Sequence, residues 1–390
     1  MSSQRSMKIL MLNYEFPPIG GGGGYAHQCL LKEYSRHPEL QIDVLTSSPA
    51  IGLTIETFSD NIRLYRVGIH KANLHFWKKS EVLEWLFKAE RQLNKLLSSN
   101  NYDLAHAFFG FPTGWLTCRR RKILPYLISL RGSDVPGANP RLTLEYKLLG
   151  PVFRKIWRNA SLLAVNSKGL ARRAKAFLPD LDYPVIPNGV DTERFRPASD
   201  KPALSPFKLI TVGRLTEVKR LDLALEAVCK ALSAGLDVEL TIVGDGNLTT
   251  RLKQLADALE ISRRIHFTGW LDPDTLPEIY PVHHCFLLTS LNEGMNNALL
   301  EALASGLAVI TTPCEGTDEL VQNNGIVVEH AGPQNLADAI IKIAQDSAAY
   351  SQMCKTSRTI AERFSWSSAA ELYIRYYHQL AASGDKQCAE

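Results

Sequence analysis

The chain reads as an α/β protein of two doubly wound units in tandem, and three observations predict it. Short apolar runs suited to buried strands alternate with helical patterns, which implies parallel sheet with crossover helices. The alternation breaks at "PASDKPALSP", Pro197 to Pro206, and then restarts. The length of 390 residues suits two domains or three.

In the first unit "KILMLN", Lys8 to Asn13, is a buried strand, and Tyr25 to Arg36 is the helix after a glycine run. "QIDVLTS", "NYDLAHAFF", "LPYLISLRG" and "SLLAVNS" are further strands, with helical patterns between them. A helix then leads to "YPVIPNGVDTERFRP". After the break, "FKLITVGRL" is a strand, "LDLALEAVCKAL" a helix, "VELTIVGDG" a strand and Leu248 to Leu259 a helix. "IHFTGW", "HCFLLTS" and "LAVITTP" complete that sheet. "FSWSSAAELYIRYYHQL", Phe364 to Leu380, is a final amphipathic helix, followed by a small polar tail expected to fray. The expected divisions are 1–197, 198–363 and 364–390. A ligand is expected in a cleft facing the carboxyl ends of both sheets. Met7 is either a second start or follows a short disordered leader.

Hydrophobic content of 45% and charged content of 22% are ordinary for a soluble globular protein. The charge is uneven. Residues 1–197 carry 28 Lys and Arg against 16 Asp and Glu, a net +12; the rest carry 16 against 24, a net −8. An anionic partner for the first half follows: nucleic acid, an acidic membrane or a phosphorylated substrate. Seven cysteines, odd in number and without a C-x-x-C pair, fit reduced thiols in the cytosol and no zinc site of usual spacing. No run approaches a membrane span, and no signal peptide opens the chain.

Five consecutive glycines, Gly20 to Gly24, follow the first strand. A linker fits badly, because the run leads straight into a helix. Gly21, Gly23 and Ala26 match a dinucleotide fingerprint, but any such run nearly does. The acid expected at the end of the second strand is missing: "QIDVLTSS" ends in Thr46 and serines, with Asp43 inside the strand. A bare backbone before a helix also offers N–H groups and a positive helix end to a phosphate, and this reading is preferred.

The most informative stretch is "SLNEGMNNALLEALASGLAVITT". Seven residues separate Glu293, in the loop after a strand, from Glu301, about one and a half turns into the next helix. A helix is expected over Asn296 to Ala304; its opening near Asn296 and Asn297, with Ala298 and Leu299, suits a phosphate, and a carboxylate on that helix suits the paired hydroxyls of a ribose. Taken alone, the pair is better explained by an ordinary surface helix. "VGRLTEVKRLD" adds Arg214 at a strand end and Lys219 one turn on, two cations suited to a diphosphate. "FTGW" ends a strand in Gly269 and Trp270, where a backbone edge would pair with a nucleobase; a core Trp is the equal alternative.

Taken together, these elements resemble the retaining glycosyltransferases of family four, also called group 1, which have the GT-B fold. The resemblance rests on the glycine loop, "IPNGVDTERF", "VGRLTEVKR", "IVGDG", "FTGW", "EGMNNALLE", and "ASGLAVITT" with "DELV" after it, in this order across nearly the whole chain. It implies two Rossmann-like domains around a central cleft, the first binding acceptor and the second the nucleotide sugar. It assigns Glu293 to the donor sugar near the anomeric centre, Glu301 to the ribose hydroxyls, and Arg214 and Lys219 to the diphosphate. Gly22 and Gly23 would approach the phosphates and donor sugar, and the last helix would cross back to the first domain. The donor would be of the UDP-sugar or GDP-mannose kind, the acceptor a hydroxyl of a glycan, glycolipid or small molecule, and the product a polysaccharide or glycoconjugate. The implied chemistry is metal-independent front-face transfer with retention, and no Asp-x-Asp element or His cluster suggests a metal.

The chain departs from the pattern in four places. Arg131 stands where many members carry a His beside the reacting sugar. It is a candidate for donor phosphates or an acidic acceptor, or an ion-pair partner of Asp134. His106, in His106-Ala107-Phe108, keeps one of two histidines common there, and Asn188 of "IPNGVDTERF" is a further candidate acceptor or phosphate contact. Glu315-Gly316 replaces two glycines, and Asn296 stands where Pro or Gly is frequent. "NLHFWKKSEVLEWLFKAERQ", Asn73 to Gln92, and "CRRRK", Cys118 to Lys122, would rest on an anionic membrane and reach a lipid-linked acceptor; a helix packed on its domain with solvated lysines is the slightly favoured alternative. The expected location is cytoplasmic, with or without peripheral contact at the inner membrane face. Weaker alternatives are a non-hydrolysing nucleotide-sugar epimerase on the same architecture and an NAD-dependent oxidoreductase. Nucleic-acid binding is not expected.

Overall fold

The computed structural model describes residues 6–74, 76–137, 143–199 and 203–387. The chain divides into two compact units, Met1–Pro187 with Trp366–Glu390, and Asn188–Ser365. The first unit runs β1 (Met7–Asn13), α1 (Gly22–Tyr34), β2 (Leu40–Ser48), β3 (Leu53–Ser59), β4 (Ile62–Gly68), α2 (Lys79–Ser99), β5 (Leu104–Phe108), α3 (Thr113–Cys118), β6 (Tyr126–Leu130), α4 (Thr143–Arg158), β7 (Leu162–Val165) and α5 (Lys168–Phe177). The second runs β8 (Phe207–Val212), α6 (Leu221–Ser233), β9 (Val238–Val243), α7 (Thr249–Ala258), β10 (Ile265–Gly269), α8 (Leu276–Ile279), β11 (Cys285–Leu288), α9 (Asn297–Ala304), β12 (Ala308–Thr311), α10 (Thr317–Leu320), β13 (Gly325–Val327), α11 (Pro333–Gln345) and α12 (Ser347–Ala361). The last helix, α13 (Trp366–Gln387), belongs to the first unit.

The middle of β1, Ile9 to Leu12, is apolar and fully buried because both of its faces are covered, as helices on both sides of a parallel sheet require. The first sheet has the order β3-β4-β2-β1-β5-β6-β7. Every pairing is parallel except β3 with β4, an antiparallel edge hairpin. That hairpin is absent from the sequence reading; β3 is largely exposed, and its alternation, Leu53-Thr54-Ile55-Glu56, is only four residues long. The second sheet is wholly parallel, in the order β10-β9-β8-β11-β12-β13. Strand order reverses between β1 and β5 in one sheet and between β8 and β11 in the other. Doubly wound sheets bind ligands at such points, beyond the strands' carboxyl ends.

Three boundaries differ from those expected. Helix α1 starts at Gly22, not Tyr25, so three of the five glycines form its first turn. A Cβ at Gly23 would lie 2.5 Å from the Phe109 ring, and one at Gly24 would lie 2.7 Å from the Glu15 carbonyl oxygen. The glycines therefore let a helix end sit directly on its loop, which outweighs their entropic cost. Helix α13 continues past Leu380 to Gln387, while residues 388–390 of the expected tail lie outside the described residues. The division between units falls at Pro187, ahead of Pro197–Pro206, of which 200–202 lie outside the described residues. The reason is local packing. Phe195 is buried in the second unit, the Val190 amide donates to the Phe364 carbonyl at 3.0 Å, and the Arg358 guanidinium donates to the carbonyls of Thr192, Phe195 and Ala304. Residues 1–5 of the expected leader also lie outside the described residues, and Met7 opens β1.

Helix α13 packs on α1 and β5. Trp366, Ala369, Ala370, Tyr373 and Tyr377 join the core formed by β1, β2 and α1. A hydrogen-bonded chain ties it down. Tyr377 Oη lies 3.0 Å from Tyr34 Oη and 2.7 Å from His106 Nδ1; His106 Nε2 lies 2.7 Å from Ser129 Oγ, which meets Tyr373 Oη at 2.6 Å.

Candidate functional site

The second unit carries a pocket between the carboxyl ends of β8 and β11, at its point of strand reversal. Gly213, Arg214, Lys219, Val243, Thr289 and Ser290 are among its lining residues. Arg214 is exposed just beyond β8. A 3-10 turn, Glu217–Lys219, brings Lys219 back over the strand end. Its stem lies along Gly213, where a Cβ would come 3.3 Å from Lys219 Cε. The Thr289 hydroxyl holds the turn by donating to the Lys219 carbonyl at 2.8 Å. Lys219 Nζ donates to Glu293 Oε1 at 2.5 Å, and both side chains keep some exposure. One cation and the carboxylate expected at the donor sugar thus meet at one spot, with a second cation at the strand end.

Helix α9 starts at Asn297, one residue after the expected Asn296. Asn296 is its N-cap, accepting from the Leu299 amide at 2.9 Å. That cap takes up the Leu299 N–H expected to face a phosphate, while the Ala298 amide has no partner among the described residues. The Asn297 side chain accepts from Asn188 Nδ2 at 2.6 Å, and Asn188 also donates to the Met295 carbonyl at 3.1 Å. Asn188 is 4% exposed, so it braces the helix opening rather than presenting itself to an acceptor. Glu301 is buried, and Tyr280 Oη donates to its Oε2 at 2.9 Å. Burial pushes the Glu301 carboxyl up to about 7, against the opposing pull of the Tyr280 hydrogen bond and of the Arg194 charge. Gly269 ends β10, an edge strand, and Trp270 beyond it is 57% exposed. Trp270 is therefore a surface ring just beyond an edge strand, not a core residue.

The first unit treats its candidates differently. Gly22 and Gly23 are in the first turn of α1, at the point of strand reversal of that sheet. His106 is fully buried with both ring nitrogens engaged, and burial holds its pKa well below the usual histidine range. It sits in the core of the first unit with both ring nitrogens engaged, where the expectation was a candidate acceptor or phosphate contact. Asp134 accepts from the amides of Gly110 at 2.7 Å, Arg131 at 2.8 Å and Gly132 at 3.1 Å. Its carboxylate organises the loop after β6 through backbone amides. Burial lowers the Arg131 pKa, with Tyr373 and Asp134 pulling the other way, and its guanidinium lies 5.8 Å from the Phe108 ring centre.

Four residues of this geometry escaped the sequence reading as functional. Tyr280 and Arg194 act on Glu301 from α8's end and from the segment after Asn188. Arg194 also donates to the Pro273 carbonyl and Asp274, both at 2.6 Å, which pins the loop after Trp270. Glu315, noted only as a replaced glycine, accepts the Glu293 amide at 3.0 Å through Oε2. Ser290 lines the pocket. The dinucleotide reading loses its acid as well: Asp43 is buried within β2 and accepts from Tyr102 Oη at 2.7 Å. No group of three His, Cys, Asp or Glu is close enough to hold a metal among the described residues.

Two doubly wound parallel-sheet units, one with cations at its point of strand reversal, define the GT-B class. Family models agree: "Glycosyltransferase Family 4" matches residues 22–194 and "Glycosyl transferases group 1" matches residues 206–346. The D-inositol 3-phosphate glycosyltransferase of Corynebacterium jeikeium is 30% identical over 318 residues, covering 73% of this chain and 74% of that one. An Escherichia coli UDP-Gal:alpha-D-GlcNAc-diphosphoundecaprenol alpha-1,3-galactosyltransferase is 26% identical over 356 residues, covering 87% and 89%. Among solved structures, sucrose-phosphate synthase from Thermosynechococcus elongatus superposes with a TM-score of 0.84 at 19% identity, over 97% of this chain and 100% of that one. The chain belongs to the family 4, group 1 glycosyltransferases. The epimerase and oxidoreductase alternatives find no support in these matches.

Proposed function

We propose that this protein transfers a sugar, with retention and without a metal, from a nucleoside-diphosphate sugar to a hydroxyl of a glycan or lipid-linked acceptor. The observation that carries the donor half is the second unit's pocket: Arg214 and Lys219 beside Glu293, with buried Glu301 on the helix that follows. Glu301 accepts hydrogen bonds from the ribose hydroxyls, and the end of the edge strand at Gly269 and Trp270 takes the base. Arg214, Lys219 and the Ala298 amide hold the diphosphate. As the bond from anomeric carbon to phosphate oxygen breaks, the departing oxygen gains charge, and these groups stabilise it without reorganising. Fixed cations thus supply what a metal would otherwise supply. Glu293, paired with Lys219, serves the donor sugar's hydroxyls instead of attacking its carbon. The acceptor hydroxyl then enters on the face the leaving group vacates, and its proton passes to the leaving phosphate. The uridine donor and lipid-diphosphate acceptor named for the Escherichia coli relative make a UDP-sugar and a lipid-linked glycan the first substrates to try.

Peripheral membrane contact belongs to this reading. Helix α2 buries Trp85, Ala89, Leu93 and Leu96, yet leaves Leu83 64% and Phe87 68% exposed, with Lys79 and Arg91 exposed on the same helix. No helix among the described residues is long and apolar enough to cross a membrane.

The test of the reaction is NMR of the product from a labelled donor. Retention of the donor's anomeric configuration, in the presence of a chelator, is the expected result. An inverted product, or activity abolished by the chelator, would reject the mechanism.

A further inference from the structure

Ser290 follows β11 at the point where strand order reverses. Its side chain is 1% exposed, and its Oγ has no hydrogen-bond partner among the described residues. Its neighbours are engaged. The Thr289 hydroxyl donates to the Lys219 carbonyl at 2.8 Å, and the Thr312 hydroxyl donates to the Ser290 carbonyl at 2.8 Å. The strand end is thus pinned on both sides while one hydroxyl between the pins stays unused. Buried polar groups are nearly always satisfied, because an idle one loses its water and gains nothing. An idle hydroxyl lining a pocket calls for a partner from outside the chain.

The pocket's other groups say what kind. Arg214 and Lys219 line it with Ser290, and Gly213 leaves the strand end bare. A hydroxyl beside two cations has a donor to offer, and an anionic oxygen is the matching acceptor. We propose that the Ser290 hydroxyl is a further donor-binding group, giving a hydrogen bond to a phosphate oxygen of the nucleoside diphosphate. The inference rests on the donor reading above and adds to it one residue and one contact. It makes the hydroxyl a compromise: unfavourable in the free protein and satisfied in the complex.

Calorimetric titration of UDP, GDP and ADP, and of pyrophosphate, into wild type, Ser290→Ala, Ser290→Cys and Glu301→Ala tests this. Cysteine fills the same space with a weak donor, so it separates the hydrogen bond from packing. The expected result is a ten- to hundredfold higher Kd for the nucleoside diphosphate in both Ser290 variants. A higher melting temperature for unliganded Ser290→Ala is expected too, because the idle group is gone. An unchanged Kd in the Ala variant, wild-type affinity in the Cys variant, or a lower melting temperature for Ala overturns the assignment. Binding of pyrophosphate alone, weakened by both Ser290 variants, would keep the contact and reject the nucleotide. A wild type that binds none of the four overturns the donor reading and this inference with it. A wild type that binds a diphosphate, loses it in Glu301→Ala and keeps it in both Ser290 variants overturns this inference alone.

Discussion

In the proposed site Glu301 takes the ribose hydroxyls from a buried position, and burial works against the ionised carboxylate that accepts best. Its carboxyl titrates at about 7 in the fold against 4.5 ordinarily, with burial as the largest cause. The native state therefore prefers the neutral acid. Stability from this group is fully present below the unfolded value and is lost as pH rises through 7, by ~3 kcal/mol at most. Glu301→Gln should raise the melting temperature above wild type at pH 8 and much less at pH 5. Nucleotide affinity should rise with pH through 7 in wild type and stay flat in the Gln variant, since ribose hydroxyls donate to the ionised form. A pH-independent wild type would reject that role. Lys219→Ala should lower kcat/KM by roughly 10²–10³, the loss expected for one preorganised charge-stabilising group. Lys219→Arg should restore little, because a planar fork cannot repeat the point contact with Glu293. Glu301, Lys219 and Glu293 can be proposed from the sequence because each belongs to a short local spacing. Tyr280 and Arg194 cannot, because the chain brings them to Glu301 from 21 and 107 positions away, with no pattern joining them.

Helix α13 shows what local patterning can and cannot say. Its amphipathic period was readable, and its tyrosines are what a packed helix needs. That Tyr377 would close on His106, 271 residues earlier, was not readable, so His106 looked like a site residue. Tyr377→Phe leaves the His106 ring and the Tyr34 hydroxyl without that partner in a dry core. A loss of ~1–3 kcal/mol in urea unfolding is expected, with no change in nucleotide affinity. Helix α9 offers the complementary case. Asn296, expected as the first helical residue and standing where Pro or Gly is frequent, is the N-cap. Asn296→Ala should cost ~0.5–2 kcal/mol, readable in the same unfolding experiment. The start of α1 was misread for a physical reason. Glycine is a poor helix former by propensity, and only close approach to Glu15 and Phe109 makes it necessary. The β3–β4 hairpin is hard to read because the alternation of β3, Leu53 to Glu56, is only four residues long and the strand is largely exposed.

The molecule as a whole was the most readable level. Alternating strand and helix patterns, broken once, give two doubly wound units, and the charge imbalance of +12 against −8 is fixed by composition. If the first unit's basic and apolar surface serves a membrane, the protein should co-sediment with anionic vesicles at low salt and release near 0.5 M salt. Leu83→Ser with Phe87→Ser should weaken that binding severalfold while leaving nucleotide affinity unchanged; equal binding to neutral vesicles would reject the charge argument. The central claim, however, is the donor site of the second unit, and a metal-free thermal-shift panel reaches it most directly. Wild type and Glu301→Ala would each be heated with UDP, GDP, ADP, dTDP and NAD(P). The account predicts that one nucleoside diphosphate stabilises wild type, by roughly 2.7 kcal/mol at a hundred times its Kd, and that Glu301→Ala loses most of the effect. Stabilisation by NAD(P) alone, or by none of these, would contradict it.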